Sequence, residues 1–282
     1  MAGISQSDRD FCKNLVNSRD GIFSTTYRFA QPLFKDRLLS LRAMTSEIGS
    51  IPFRVADQGV ARIKIAWWHS ELQPDMASVS QHPIVRSLAG SGALETVSKE
   101  ILDKYFSAIT KMTSGQSITG VDQLINIAEQ AGGSEAILEC AGGGLKSMEN
   151  SVRAIGLGRF LYSLLSKPTG TFCEQTWWVP LDLQAKYEIT LELTRAGRFT
   201  DRIGMIVQQF AGIALDAFGG TLTQLKSDPI ASHSNPGIHH LKISAVVLQK
   251  RLERLIANPV KFDFGKVGTG EIFTAWRQAI RK

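Results

Sequence analysis

The alternation of apolar and polar positions has a helical period along nearly the whole chain. Between Leu38 and Ile51, the residues Leu38, Leu41, Met44, Thr45, Ile48 and Ile51 recur at three- and four-residue steps. That spacing puts them in one stripe of an α-helix, which is predicted to end near Ile51-Pro52. At 100° per residue, Ala43, Ser46, Glu47 and Ser50 lie beside the stripe. A core stripe flanked by small residues and one carboxylate suits a helix that lines a cavity. A short polar connection then leads to a second helix carrying Trp67-Trp68 and ending at Leu72.

The rest of the chain repeats this style. Asp8 to Asn17 reads as an amphipathic helix with Phe11, Leu15 and Val16 on one side, broken by Ser18 to Gly21. Pro32 and Pro83 stand where helices begin, since proline is tolerated in the first turn. Gln73 to Ser80 is polar and reads as a loop. Helices are expected over Leu94 to Met112, Val121 to Ala131, and a long run from Ser134 to Leu165 loosened by Gly142-Gly143-Gly144. From Ala154 to Leu165 this run is apolar almost all round, which predicts a buried central helix. Arg159 is its exception, and a buried arginine needs a phosphate or a carboxylate as partner. Lys167 to Glu174 and Phe262 to Gly270 read as irregular. Leu183 to Ala196, Asp201 to Phe218, His239 to Ala257 and Glu271 to Arg281 read as further helices. No sustained two-residue alternation, Asn-Gly hairpin signal, repeat or linker interrupts them. Residues 1–282 are expected to form one all-α domain.

Composition narrows the function only a little. The chain has 282 residues, 43% hydrophobic and 21% charged, which is ordinary for a globular protein with a large core. Its net charge of +6 favours anionic partners such as diphosphates, acidic lipid head groups or RNA, and equally suits a plain solvated surface. Cys12, Cys140 and Cys173 show no C-x-x-C spacing, so neither a disulfide framework nor a zinc site follows and a reducing, intracellular compartment is expected. Asp8 and Asp10 interrupt any N-terminal signal-like run. The nearest approach to a membrane span, Ile203 to Phe218, holds Gln208, Gln209 and Asp216, so crossing is not expected and peripheral contact stays open. His233, His239 and His240 beside Asn235-Pro236-Gly237 fit a turn and helix start better than a metal motif. No Ser-His-Asp arrangement, P-loop or dinucleotide fingerprint is present.

In order along the chain, several segments resemble squalene and phytoene synthases, the head-to-head prenyl synthases. Tyr27, Pro32 and Arg37 resemble the family's opening Y…P…R segment, Leu41 to Ile48 its first motif helix, and Ile63 to Leu72 its Trp-rich helix. His82-Pro83, Ala128 to Gly132, Ala154 to Leu165 and the Val179 to Leu183 segment resemble later landmarks in the same order. The resemblance implies an isoprenoid-synthase-type antiparallel helical bundle around a central cavity. It also implies two Asp-rich boxes on facing helices, with acids four residues apart, which hold Mg²⁺ against a diphosphate.

Both boxes are degenerate. The first window reads Ser46-Glu47-Ile48-Gly49-Ser50-Ile51, so Glu47 alone could ligate a metal or serve in catalysis, unless it pairs with a nearby arginine. The second, between Leu161 and Thr171, holds no acid; Glu174 is the sole carboxylate from Ser151 to Pro180. Arg153, Arg159 and Lys167 bring positive charge there instead. The pocket or diphosphate-binding candidates are therefore Tyr27, Arg37, Ser46, Glu47, Ser50, Arg153, Arg159 and Tyr162, with no metal ligand assigned. The resemblance suggests a member without Mg²⁺-dependent prenyl transfer and without a cofactor, acting as a binding or assembly scaffold in a larger protein complex, as in the family's complex I assembly-factor branch. That implies a mitochondrial matrix or bacterial cytoplasmic setting, with a membrane-peripheral position and a prenyl or lipid-like ligand left open. The alternatives are an active prenyltransferase using Mg²⁺ with altered ligands, in which Glu47 is the surviving acid, and a basic adaptor for RNA.

Overall fold

The computed structural model describes residues 3–141, 145, 148–198, 200–227, 235–259 and 268–280, apart from the side chains of 200 and 222–227. The chain is built almost wholly of helices. The first layer comprises α1 (Gln6–Arg19), α2 (Gly21–Thr26), α3 (Lys35–Gly49), α4 (Ile51–Arg54), α5 (Gln58–Glu71), α6 (Pro74–Ala77) and α7 (Pro83–Gly90). Then come α8 (Lys99–Met112), α9 (Val121–Ala128), a π turn (Glu129–Gly133), α10 (Ser134–Glu139) and α11 (Glu149–Leu165). The chain continues through α12 (Leu181–Lys186), α13 (Leu191–Arg195), α14 (Thr200–Ser227), α15 (Pro236–Ala257) and α16 (Thr269–Ile280).

Local chemistry explains the helix starts. Asp57 accepts from the Val60 amide at 2.8 Å to open α5, and Asn235 accepts from Gly237 and Ile238 at 2.9 and 3.2 Å to open α15. Asp20 caps α2 by accepting from the Phe23 amide at 2.9 Å, which fixes its carboxylate beside the end of α1. The predicted stripe of α3 is realised: Leu38, Leu41, Met44, Thr45, Ile48 and Ile51 are all buried.

Helix α11 is the central element, packed against α14, α10 and the π turn. It is buried almost all round, as its composition predicts. Its approach to the π turn depends on paired glycines. A Cβ on Gly156 would lie 2.1 Å from the Gly132 carbonyl oxygen, and one on Gly132 would lie 2.3 Å from that of Gly156. Only two glycines let the backbones meet this closely. One apolar core runs through the bundle from Cys12 to Leu255.

The structure departs from the sequence expectations in several places. The run expected from Ser134 to Leu165 is two helices, because α10 stops at Glu139 and α11 begins at Glu149. The Gly142–Gly144 run, His233 and most of Phe262 to Gly270 lie outside the described residues. The helix expected from Leu94 starts only at Lys99, and the loop expected over Gln73 to Ser80 contains the single turn α6, set off by Pro74. Leu183 to Ala196 is split into α12 and α13, with Glu188 in the left-handed region at φ 49°. A two-residue hairpin, Thr171–Phe172 with Thr176–Trp177, sits where an irregular loop was expected; left-handed Cys173 and Glu174 make its turn. The stretch Asp201–Thr221 of α14 is 21 residues with mean hydropathy 1.2, long and apolar enough to cross a membrane. Here its buried face, including Phe210, Ala214 and Phe218, packs against α11 and α15.

Candidate functional site: a cavity closed by an arginine–carboxylate network

The polar face of α3 does line a cavity. Arg42, Thr45, Ser46, Gly49 and Ser50 form one wall of a space of about 500 Å³. Opposite stand Tyr105 and Ile109 of α8, Glu135 of α10, Phe160 and Ser163 of α11, and Lys167 just beyond it; Arg19 and Asp20 close the end. A smaller cavity of about 140 Å³ shares Arg19, Asp20, Arg42 and Lys167 and extends past Arg159 and Tyr162 to Ser244 and Arg251. A third, of about 290 Å³, lies beyond Ser50 and Arg54 and is walled by Trp67, Trp68 and His82.

Five charged groups occupy the floor. Arg42 pairs with Asp20 and Glu135 and reaches Glu139 at 3.0 Å. Arg159 donates to both oxygens of Glu139 at 2.7 and 2.8 Å, and to Glu135 at 2.8 Å. The Glu139 side chain is 1% exposed. Burial alone would raise its pKa, but Arg159 and Arg42 outweigh that and bring it down to about 2. Burial likewise opposes ionisation of Asp20, whose pKa is nevertheless lowered, by Arg42 and then Arg159. Beside the network, His240 shares a hydrogen bond with Thr26 at 3.1 Å, and its Nδ1 has no partner. Desolvation pushes its pKa down to about 4, so it is neutral at physiological pH.

Of the candidates read from sequence, Ser46 and Ser50 line the main cavity. Glu47 is ion-paired with Arg19 at 2.7 Å, with Arg54 at 4.0 Å, which realises its structural alternative. Arg159 found buried carboxylates as its partners, and Tyr162 lines the smaller cavity under the Arg251 guanidinium, 5.7 Å from its ring centroid. Three candidates stand apart from all three cavities. Tyr27 stacks on Phe23 with centroids 5.5 Å apart, Arg37 lies 5.9 Å from the Phe34 ring, and Arg153 pairs with Glu149 one turn earlier at 2.7 Å. Their packing on neighbouring rings and on their own helix explains why they do not reach the site. Asp20, Arg42, Glu135 and Glu139 were not anticipated. The signal available was the four-residue spacing of Glu135 and Glu139, which puts both on one helical face.

Comparison with protein-family models and with curated proteins finds no match. Solved structures do match. A dehydrosqualene synthase in complex with ligand superposes with TM-score 0.75 at 10% identity, covering 97% of this chain and 95% of that one. The fold is that of the squalene and phytoene synthases. Squalene synthase HpnC from Alicyclobacillus acidocaldarius matches with TM-score 0.63 at 16% identity, covering 88% of this chain and 93% of that one. YisP from Bacillus subtilis matches with TM-score 0.65 at 12% identity, covering 96% of each chain.

Across the main cavity Ser46 and Ser50 of α3 stand opposite Ser163 of α11 and Lys167 just beyond it. None is a carboxylate. The carboxylates near the cavities, Asp20, Glu47, Glu135 and Glu139, each contact an arginine. Among the described residues no three His, Cys, Asp or Glu side chains group closely enough to hold a metal ion. Mg²⁺ binds through one or two carboxylates together with phosphate and water oxygens, and here the carboxylates near the cavities are already engaged by arginine.

Proposed function

We propose that this protein uses the synthase fold as a binding scaffold and does not ionise prenyl diphosphates with Mg²⁺. One observation carries the reading: among the described residues, every carboxylate lining these cavities is held by arginine. A metal would have to displace Arg42 or Arg159 from Glu135 and Glu139, and stranding a buried guanidinium costs about 3–5 kcal/mol. The cavity of about 500 Å³ leaves room for a ligand in such a scaffold. An accessory or assembly role beside protein partners accords with this. The similar solved structures include a dehydrosqualene synthase and a squalene synthase, and prenyl chemistry is the natural source of such a ligand.

The test is turnover. Purified protein with farnesyl or geranylgeranyl diphosphate and Mg²⁺ should release no diphosphate above the uncatalysed background. Release at an ordinary enzymatic rate of about 1 s⁻¹ or faster would refute the scaffold reading. A second reading has one observation in its favour: Glu135 and Glu139 are acids four residues apart on α10, and Glu135 lines the main cavity. In an active prenyltransferase these, or Glu47, would be ligands once the arginines withdraw. That reading requires turnover to vanish in Glu139→Gln and Glu47→Gln.

A further inference from the structure

The outer face of α16 is more apolar than the face it turns to the bundle. Inward it presents Glu271, Thr274 and Ala275, all buried. Glu271 lies 3.8 Å from Arg251 and 3.2 Å from Arg254, and it accepts from the Gly268 amide at 2.8 Å. Thr274 accepts from the Lys250 ammonium at 2.6 Å, and Ala275 packs on Ile243 and Val247 of α15. These contacts fix which way the helix faces. Outward it presents Phe273, Trp276 and Ile280, which are 59%, 46% and 55% exposed. Steps of three and four residues put all three in one stripe, and the Phe273 and Trp276 rings pack together with centroids 5.5 Å apart. A surface helix bathed in water carries the reverse arrangement, with its apolar stripe toward the core.

We propose that the Phe273–Trp276–Ile280 face of α16 docks on the surface of an anionic lipid bilayer. The stripe is basic at its edges. Arg277 is exposed beside Trp276, and Lys250 is exposed across a groove that Val246 and Phe273 also line. The turn Tyr27–Phe29 packs against α16 and exposes Arg28, whose carbonyl accepts from Lys35 at 3.2 Å. The one acid of α16 is Glu271, on the inward face, and Glu253 of α15 accepts from Gln249 at 3.0 Å. Tryptophan and phenylalanine flanked by cations are the side chains that settle at the level of lipid head groups. A peptide lying in the groove would miss Trp276 and Ile280, which stand on the ridge outside it. A flat bilayer reaches that ridge, and Arg277, Lys250 and Arg28 are placed to meet its phosphates. The face lies apart from the three cavities, so the proposal does not depend on the scaffold reading.

Co-sedimentation of the full chain with vesicles tests this, using phosphatidylcholine alone and an equal mixture of phosphatidylcholine and phosphatidylglycerol. Wild type should bind the mixed vesicles, bind the neutral ones about tenfold less, and dissociate as salt rises. Phe273→Ser combined with Trp276→Ser should weaken binding to the mixed vesicles by about tenfold or more, and Arg277→Gln by about fivefold. All three positions are exposed, so thermal melts should match wild type; if the double variant melts lower, Arg277→Gln decides alone. Trp67→Ser, exposed on α5, is the control and should bind as wild type does. No binding to either vesicle, equal binding to both, or binding that survives the substitutions overturns the proposal. So does a loss in Trp67→Ser equal to that in the double variant. Sedimentation velocity checks the rival occupant: a wild-type dimer that Trp276→Ser dissociates assigns the face to a second copy and overturns the bilayer reading, whereas a monomer upholds it.

Discussion

Replacing Glu139 by glutamine tests the network most sharply. In the native protein its two oxygens accept from guanidinium groups at 2.7, 2.8 and 3.0 Å, in a side chain 1% exposed. The amide has one acceptor fewer and turns an N–H toward donors, leaving Arg159 with Glu135 as its carboxylate partner. Breaking a buried pair in this way costs about 3–5 kcal/mol. Linkage gives a similar figure. A carboxyl whose pKa falls from 4.5 unfolded to about 2 folded contributes about 3 kcal/mol above pH 4.5. Because the folded pKa is depressed, that contribution is lost as pH drops from 4.5 toward 2. With a urea m-value of about 3 kcal/mol/M, Glu139→Gln should lower the unfolding midpoint at pH 7 by about 1 M, followed by circular dichroism. The gap from wild type should narrow below pH 4.5. Glu149→Gln is the control, since its pair with Arg153, one turn apart on the same helix, is far less buried than Glu139 and worth about 0.5 kcal/mol. A Glu139→Gln shift as small as the control, or a gap that widens in acid, would refute the reasoning.

Other consequences are equally specific. Gly156→Ala puts a methyl 2.1 Å from the Gly132 carbonyl oxygen, and should lower stability by about 3 kcal/mol in thermal melts; an unchanged melting temperature would contradict the close packing of α11 on the π turn. His240, with a folded pKa of about 4 against 6.5 unfolded, should cost wild type about 3 kcal/mol as pH falls from 6.5 to 4, because the unfolded chain takes up the proton first. His240→Gln should lack that component, and identical pH slopes would argue against a buried neutral imidazole. Glu47→Gln removes the part-exposed pair with Arg19 and should lower stability by about 0.5 kcal/mol in urea unfolding; a loss as large as that of Glu139→Gln would contradict the ranking of the two acids by burial.

Much of this fold could be read from periodicity. The α3 stripe and the apolar circumference of α11 each specify a buried surface, and both occupy the core as their patterns require. What local pattern cannot encode is which side chains meet across the bundle. Asp20 falls in the Ser18–Gly21 break and Arg42 carries no pattern of its own; only the packing of α1, α3, α10 and α11 brings them to Glu139. Arg153 and Arg159 look alike in sequence, yet six residues turn one onto the helix's own Glu149 and the other into the interior. The break after Glu139 was hidden because a glycine-loosened run and a true interruption share the same apolar content. For Glu47, both possible fates were visible, and the structure shows it paired with Arg19.

The account's central claim is that the cavity carboxylates belong to arginines and not to a metal. Mn²⁺ titration, followed by electron paramagnetic resonance of the free aquo ion in the presence of a non-hydrolysable farnesyl diphosphate analogue, addresses it directly. The account predicts no stoichiometric uptake beyond what the analogue alone binds, and the same curve for wild type and Glu139→Gln. Tight stoichiometric uptake by wild type that disappears in Glu139→Gln would contradict it.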